Sequence, residues 1–384
     1  MSGTGRGCSG KAEFLQSKQD VTWRLASAAV VPCSGLKHLV ASRGTENRAA
    51  LERSLSEPRF DAPEILAGRF HNCVAEPRAI RLVTRDRDLV LETSSIQDLL
   101  DPDFVDSDHL TTRRRQISQI VRGHESIDED VLFAFNSFTP SYGHYVLTSL
   151  PLIFAFIDEI ARGPLKIVVP AGFPRWMMAH LLELGISERS FLILRDSAYR
   201  FRSAIVSNIL DAGNTRAPNP DSLAFVAELL RHAAAAQSHR TKLFVRRSGS
   251  GDVSSRTISN ENELLGALDS LGFHVIEPGR MSLREQVSAF HQADVVVSPH
   301  GSSLANLIFC RPGTKVLDLM PDGWVGARGD TLRDVWGLRM CALAGLEYSV
   351  LLCPSQTRAR HYTGNPTIAY DVVISDLMAS IQGL

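Results

Sequence analysis

The sequence has no close cysteine pair. Its six cysteines (Cys8, Cys33, Cys73, Cys310, Cys341 and Cys353) are scattered along 384 residues. Zinc ribbons and redox dithiols need such pairs, so both classes lose support, and the thiols read as buried or idle groups in a reducing compartment. There is no surplus of charge either, with 41 Lys and Arg against 42 Asp and Glu. A nucleic-acid binder usually carries a basic excess, so nucleic acid is not an expected partner, and any anionic ligand has to be held by a local site. No run approaches the ~20 apolar residues needed to cross a bilayer. Residues 145–157 come nearest but are interrupted by Thr148, Ser149 and Pro151, and residues 25–31 lack the bulk of a secretion signal. The expectation is a cytoplasmic protein, with peripheral contact at a membrane surface left open.

What is present is an alternation of strands and helices. Residues 1–58 are rich in Ser, Gly, Arg and Lys without a sustained period, and read as a poorly ordered N-terminal arm. Residues 79–84 and 88–92 suggest a hairpin around Arg85-Asp86-Arg87. From residue 131 the pattern sharpens: a strand at 131–135, a helix-length apolar run at 145–160, a strand at 164–169, a helix at 176–184 and a strand at 191–194. That grammar predicts a parallel sheet covered on both faces. Residues 211–220, with Gly213, Asn214, Pro218 and Pro220, form the best linker.

The second half repeats the alternation. Strands are expected at 242–246, 273–276, 294–298 and 315–319. Capping-box patterns at Asn260-Glu261-Asn262-Glu263 and Ser282-Leu283-Arg284-Glu285 open two helices. The fold class is therefore α/β, with two Rossmann-like domains facing a cleft. Open parallel sheets bind ligands beyond the carboxyl ends of their strands, which directs attention to the end of the 294–298 strand.

There the chain reads Pro299-His300-Gly301-Ser302-Ser303, and a short helix follows to Phe309. A helix N-terminus offers unpaired amides and about half a positive charge, which suits a diphosphate, and His300 adds a donor. The second feature is Arg246-Arg247 at the end of the 242–246 strand, followed by Ser248-Gly249-Ser250-Gly251 and then Arg256. Guanidinium groups fork onto phosphate oxygens. Each feature alone also fits an ordinary turn or a solvated arginine pair, but both fall at strand ends of one domain. Neither turn carries G-x-G-x-x-G, and the chain holds no G-x-x-x-x-G-K-[ST], H-E-x-x-H or G-x-S-x-G. Four Asp-x-Asp triplets (Asp86/Asp88, Asp101/Asp103, Asp106/Asp108 and Asp128/Asp130) read as turn or solvated aspartates, so no metal site is expected. Arg113-Arg114-Arg115 reads as a solvated face, with a phosphate or lipid contact as the lesser option.

The run from Arg256 through Gly272-Phe273, Met281-Ser282-Leu283, Ala293-Asp294, Pro299-His300-Gly301-Ser302-Ser303-Leu304-Ala305-Asn306 and Pro312-Gly313-Thr314 resembles glycosyltransferase family 61. The likeness is strong from about 240 to 350, weaker at Tyr142-Gly143-His144-Tyr145 and absent before about 130. It implies a two-domain GT-B architecture, a nucleotide-sugar donor (usually UDP-linked), a glycan acceptor, inversion at the anomeric carbon and no obligatory cofactor or metal. Roles in capsule or exopolysaccharide synthesis fall within the family. It departs from the family pattern at Ser302, Ser303 and Ala305, where Ala, Gly and Thr are usual, at Tyr145 and Thr148, where Trp and an acidic residue are usual, and at Asp318, where Glu is usual.

On this reading residues 59–218 form the acceptor-side domain and 219–350 the donor-binding domain, and 351–384 are a tail whose helix packs back on the body. The expected donor residues are Arg246, Arg247, Arg256, His300, Gly301, Ser302, Ser303 and Asn306, with His144 as base and Asp318 contacting the donor or bracing the turn. The rival expectations are a catalytically idle nucleotide- or glycan-binding protein on the same fold and, more remotely, a dehydrogenase or epimerase.

Overall fold

A computed structural model describes residues 22–33, 36–76, 81–83, 124–136, 139–170, 172–195, 197–210, 217–226, 229, 241–247, 256–325, 335–356 and 368–384. The chain divides into two compact units, the described residues within 1–29 and 62–223, and those within 30–61 and 224–384. Each unit has its own sheet and core.

The first unit carries a seven-stranded mixed sheet among the described residues. His124–Leu132 lies between Ala198–Ser207 and Leu165–Val169, all parallel, and Phe191–Ile193 extends that run. The expected parallel core is therefore present, but Ile65–Glu76 pairs antiparallel with Ala198–Ser207 and carries Thr22–Ala26 and Arg81–Val83 antiparallel on its flanks. The prediction of a wholly parallel sheet is corrected. The pattern search missed Ala198–Ser207 because Arg200 and Arg202 alternate with buried Tyr199 and Phe201, which reads as an exposed ribbon. Phe201 packs edge-on to Phe133 at 5.9 Å.

The helix-length run at 145–160 is broken. Tyr142–His144 passes into a π-helical turn at Tyr145–Ser149, then Leu150–Ala155 and Ile157–Arg162. The hydroxyl of Thr148 donates to the His144 carbonyl at 2.6 Å. Such back-bonding competes with the helical ladder, and π-turns are short by nature.

The second unit carries a six-stranded sheet in the order Phe273–Ile276, Thr241–Val245, Ala293–Pro299, Lys315–Pro321, Glu347–Cys353 and Leu36–Ala41. Every one of these pairings is parallel. The core gathers Phe244, Val297, Leu317, Leu319 and Leu351 under the helices Glu261–Ser270 and Ile374–Gln382. The Ser282 box is formed, with Glu285 N–H donating to Ser282 Oγ at 3.2 Å and Ser282 N–H to Glu285 Oε2 at 2.7 Å. This motif is worth ~1 kcal/mol per satisfied cap. The Asn260 box is not formed. Asn260 instead exchanges hydrogen bonds with the backbone of Val372, at 2.8 and 2.9 Å, and so ties the helix start to the C-terminal segment.

The expectation of a disordered arm over 1–58 is corrected for the described residues. Thr22–Ala26 joins the first sheet, Leu36–Ala41 is an edge strand of the second, and Arg48–Leu55 is a helix with Leu51 and Leu55 buried. These strands are polar on one face and lie at sheet edges, so their periodicity is too weak to see in sequence. Most of the 79–92 hairpin, the 211–216 linker, Arg113–Arg115, Ser248–Gly251, Cys8 and three of the Asp-x-Asp triplets lie outside the described residues. Among the described residues no helix is long and apolar enough to cross a membrane.

Candidate active site

The second sheet reverses direction at Thr241–Val245. The chain goes first to its neighbour Phe273–Ile276, then returns to the other side at Ala293–Pro299. A crevice opens at the carboxyl ends of strands flanking such a switch point. Arg246 and Arg247 leave one of these strands, and His300 and Gly301 leave the other.

Gly301 has φ +153° and ψ −162°, a backbone conformation that side-chain-bearing residues rarely adopt. A Cβ built there would meet Arg256 Nη2 at 3.1 Å and Arg247 Nη1 at 3.2 Å. Two guanidinium groups from separate segments thus converge on the glycine. Arg247 Nη1 also reaches the His300 carbonyl at 3.5 Å, the long limit of a hydrogen bond. Arg256 is 9% exposed and its guanidinium carbon lies 4.1 Å from the centre of the Trp324 ring. Stacking of this kind holds an arginine plane in place while contributing ~0.5–2 kcal/mol. Trp324 ends the 3-10 turn Asp322–Trp324, which is anchored at its start by Asp322, whose Oδ2 accepts from Glu46 N–H at 2.7 Å and whose Oδ1 accepts from Ser355 N–H at 2.8 Å.

The segment after Gly301 is a 3-10 helix, Ser302–Phe309, and its first intrahelical bond runs from Leu304 N–H to the Gly301 carbonyl at 2.9 Å. The amides of Ser302 and Ser303 precede that bond in the chain, at the opening of the helix. Both residues are half-buried, and Ser303 Oγ lies 3.2 Å from Ser298 Oγ.

Beneath this turn lies a buried polar chain. His300 Nδ1 is 2.8 Å from Asp318 Oδ2, and the Tyr348 hydroxyl donates to the same oxygen at 2.8 Å. The sheet register explains the convergence. Ser298 pairs with Asp318 and Val316 with Tyr348, and with a side-chain period of two His300, Asp318 and Tyr348 share one face. With Asp318 as the carboxylate, Nδ1–H of His300 is the donor in this bond. Gly337 closes the back of this chain, because a Cβ there would stand 2.6 Å from Tyr348 Oη and 2.9 Å from Asp318 Oδ2.

Not every expected residue joins the site. Arg246 is held by Glu261 at 2.7 Å and Glu277 at 3.3 Å, which neutralise it away from Gly301. Asn306 is fully buried and donates to Gln286 Oε1 at 3.2 Å, a bond that fastens the 3-10 helix to Leu283–Gln292. His144 belongs to the first unit, at the start of the π-helical turn. The one described Asp-x-Asp pair, Asp128 and Asp130, is engaged by Arg202 at 3.2 and 3.0 Å. Burial pushes the buried thiols up, Cys73 to about 12, and suppresses their reactivity. Sequence reasoning missed Trp324, Gly337 and Tyr348. A Trp two residues past Asp322, just beyond a core strand, was the available signal for the first.

Residues 142–317 match the family described as Glycosyltransferase 61. Over 93 residues the chain is 36% identical to Beta-1,2-xylosyltransferase RCN11 of Oryza sativa subsp. japonica, an alignment covering 20% of this chain and 17% of the rice protein. The matched part therefore spans less than a fifth of that relative's length. The family match runs from the segment that holds His144, through Arg247, Arg256 and Gly301, to the strand that carries Asp318. Residues 142–317 of this protein are a glycosyltransferase family 61 domain.

Proposed function

We propose that this chain is a glycosyltransferase that moves a sugar from a nucleoside-diphosphate donor to a glycan hydroxyl, with inversion and without an obligatory metal. The observation that carries the reading is the pair of guanidinium groups at 3.1 and 3.2 Å from the side-chain position of Gly301, at the opening of a helix. As the anomeric C–O bond breaks, negative charge grows on the departing diphosphate. Arg247, Arg256 and the Ser302 and Ser303 amides then stabilise it where it develops, an effect worth ~3 kcal/mol per preorganised donor. Two fixed cations do there what a divalent ion would do. The acceptor hydroxyl attacks the anomeric carbon from the opposite face and passes its proton to a base, a role we assign to His144.

UDP is the first nucleotide to test, and a xylosyl donor the first sugar, because the rice relative is named for xylosyl transfer. Capsule or exopolysaccharide precursors are the acceptor class the family resemblance favours. Titration calorimetry with UDP should give a Kd at least about tenfold weaker for Arg247→Ala than for the unmodified protein, the loss of one charge-assisted contact. Equal affinities would overturn the donor site.

One observation favours a second reading, a binding protein without turnover. Thr148 stands where the family resemblance leads one to expect a carboxylate, and its hydroxyl is committed to the His144 carbonyl. Nucleotide binding with no hydrolysis or transfer across a panel of nucleotide sugars would select it.

A further inference from the structure

The short strand Arg256–Ile258 pairs in parallel with Ile368–Tyr370, in a two-stranded ladder outside the main sheet whose second strand lies beyond the family match. Arg256 sits opposite Ile368, and Ile258 opposite Tyr370. Opposed residues on a ladder share a face, as do residues two apart, so Arg256 and Tyr370 project to the same side. Arg256 uses that side to reach Gly301. Tyr370 is fully buried, yet its hydroxyl has no hydrogen-bond partner among the described residues.

A buried phenol without a partner is rare, since the missing bond costs about 1–3 kcal/mol. The ring belongs to the hydrophobic core with Phe244, Leu264 and Val372, while the charges of Cys353, Arg247, Arg256 and Asp318 all act on its hydroxyl. Asp318 Oδ1 is likewise buried without a partner. Burial holds the phenol in its protonated form, so at neutral pH it is a donor waiting for an acceptor. On the side that Arg256 uses to reach Gly301, the acceptor that fits is an anionic oxygen.

We infer that Tyr370 is a donor-binding residue whose hydroxyl hydrogen-bonds a phosphate oxygen of the nucleoside diphosphate gathered by Arg247 and Arg256. The inference rests on the donor site proposed above and adds a contact supplied by the C-terminal segment. It makes that segment part of the binding site, with the short ladder as the element that delivers it.

The test is Tyr370→Phe in the full-length chain, which removes one oxygen and keeps the packing. UDP should bind about tenfold more weakly by calorimetry, the loss of one hydrogen bond to a charged group, while the ligand-free melting temperature stays level or rises. Inorganic pyrophosphate, measured by displacement of UDP, should lose affinity by the same factor. Unchanged UDP affinity in the variant, with normal binding by the unmodified protein, overturns the Tyr370 contact alone. A lower ligand-free melting temperature means that the hydroxyl already has a partner, and overturns it too. A loss confined to UDP moves the contact to the nucleoside and overturns the phosphate assignment. No UDP binding by the unmodified protein overturns both this contact and the donor site.

Discussion

The two units are built from similar elements, yet they place polar groups differently. In the second, an all-parallel sheet brings Arg247, His300, Gly301 and Asp318 to the carboxyl ends of adjacent strands, and a short ladder adds Arg256. Two of these side chains are buried and bonded to each other: His300 is 3% exposed and Asp318 fully buried. In the first, antiparallel strands close one side of the sheet, and its candidate catalytic residue, His144, sits on a π-helical turn rather than at a strand end. A parallel sheet with a switch point generates a ligand site from topology alone. The first sheet also reverses, at His124–Leu132, but His144 is not at one of its strand ends, so the chemistry assigned to it depends on local distortion of one helix.

The comparison is sharpened most by His144→Ala. If the first unit supplies chemistry and the second binds donor, transfer measured by product release falls about a hundredfold or more, while UDP affinity by calorimetry stays level. A matching loss of UDP affinity would break the division of labour. Next comes Gly301→Ala in the second unit. The strained backbone costs about 1–3 kcal/mol, and the new Cβ would displace Arg247 and Arg256. UDP binding should weaken at least about tenfold, with a lower melting temperature.

Arg246→Ala, one residue from Arg247, should change UDP affinity by less than about threefold, because loss of a partly exposed ion pair is a small effect. A large loss would mean that Arg246 exchanges its carboxylate partners for the ligand.

The smallest expected effect is in the first unit, at Asp130. Its partial burial works against the charge, but hydrogen bonds from Arg202 and Ser203 and the charges of Arg202 and Arg69 outweigh that and hold its carboxyl below the usual range. A carboxyl depressed in the folded state contributes stability above its unfolded pKa and loses it as pH falls through the folded value. Acid titration of stability should therefore show a shallower loss below about pH 4 in Asp130→Asn than in the unmodified protein. Identical acid limbs would remove this contribution.

Much of the second unit was legible in the sequence. Its core strands are continuous apolar runs such as Val295-Val296-Val297, its turns are marked by Gly272, Gly301 and Gly313, and the Ser282 capping box formed as read. The turn at Gly301 was legible for the same reason, because a glycine after a buried strand signals close approach. The roles of neighbouring arginines were not. Arg246 and Arg247 are adjacent, and nothing local separates them. Glu261 and Glu277, brought alongside by a helix and a turn, occupy one and leave the other directed at Gly301. In the first unit the edge strands escaped notice because a half-exposed strand shows only faint alternation.

The sequence by itself determined the alternation of elements in the second unit, the glycine turn and the stock of arginines, since each is written in contiguous residues. Only the tertiary structure decided which arginine reaches the turn and that His300, Asp318 and Tyr348 form one buried chain. It alone also placed Tyr370, from the far end of the chain, on the same side as Arg256. Those outcomes depend on strand order and register, which join residues up to 114 positions apart (256 to 370), and no local pattern encodes them.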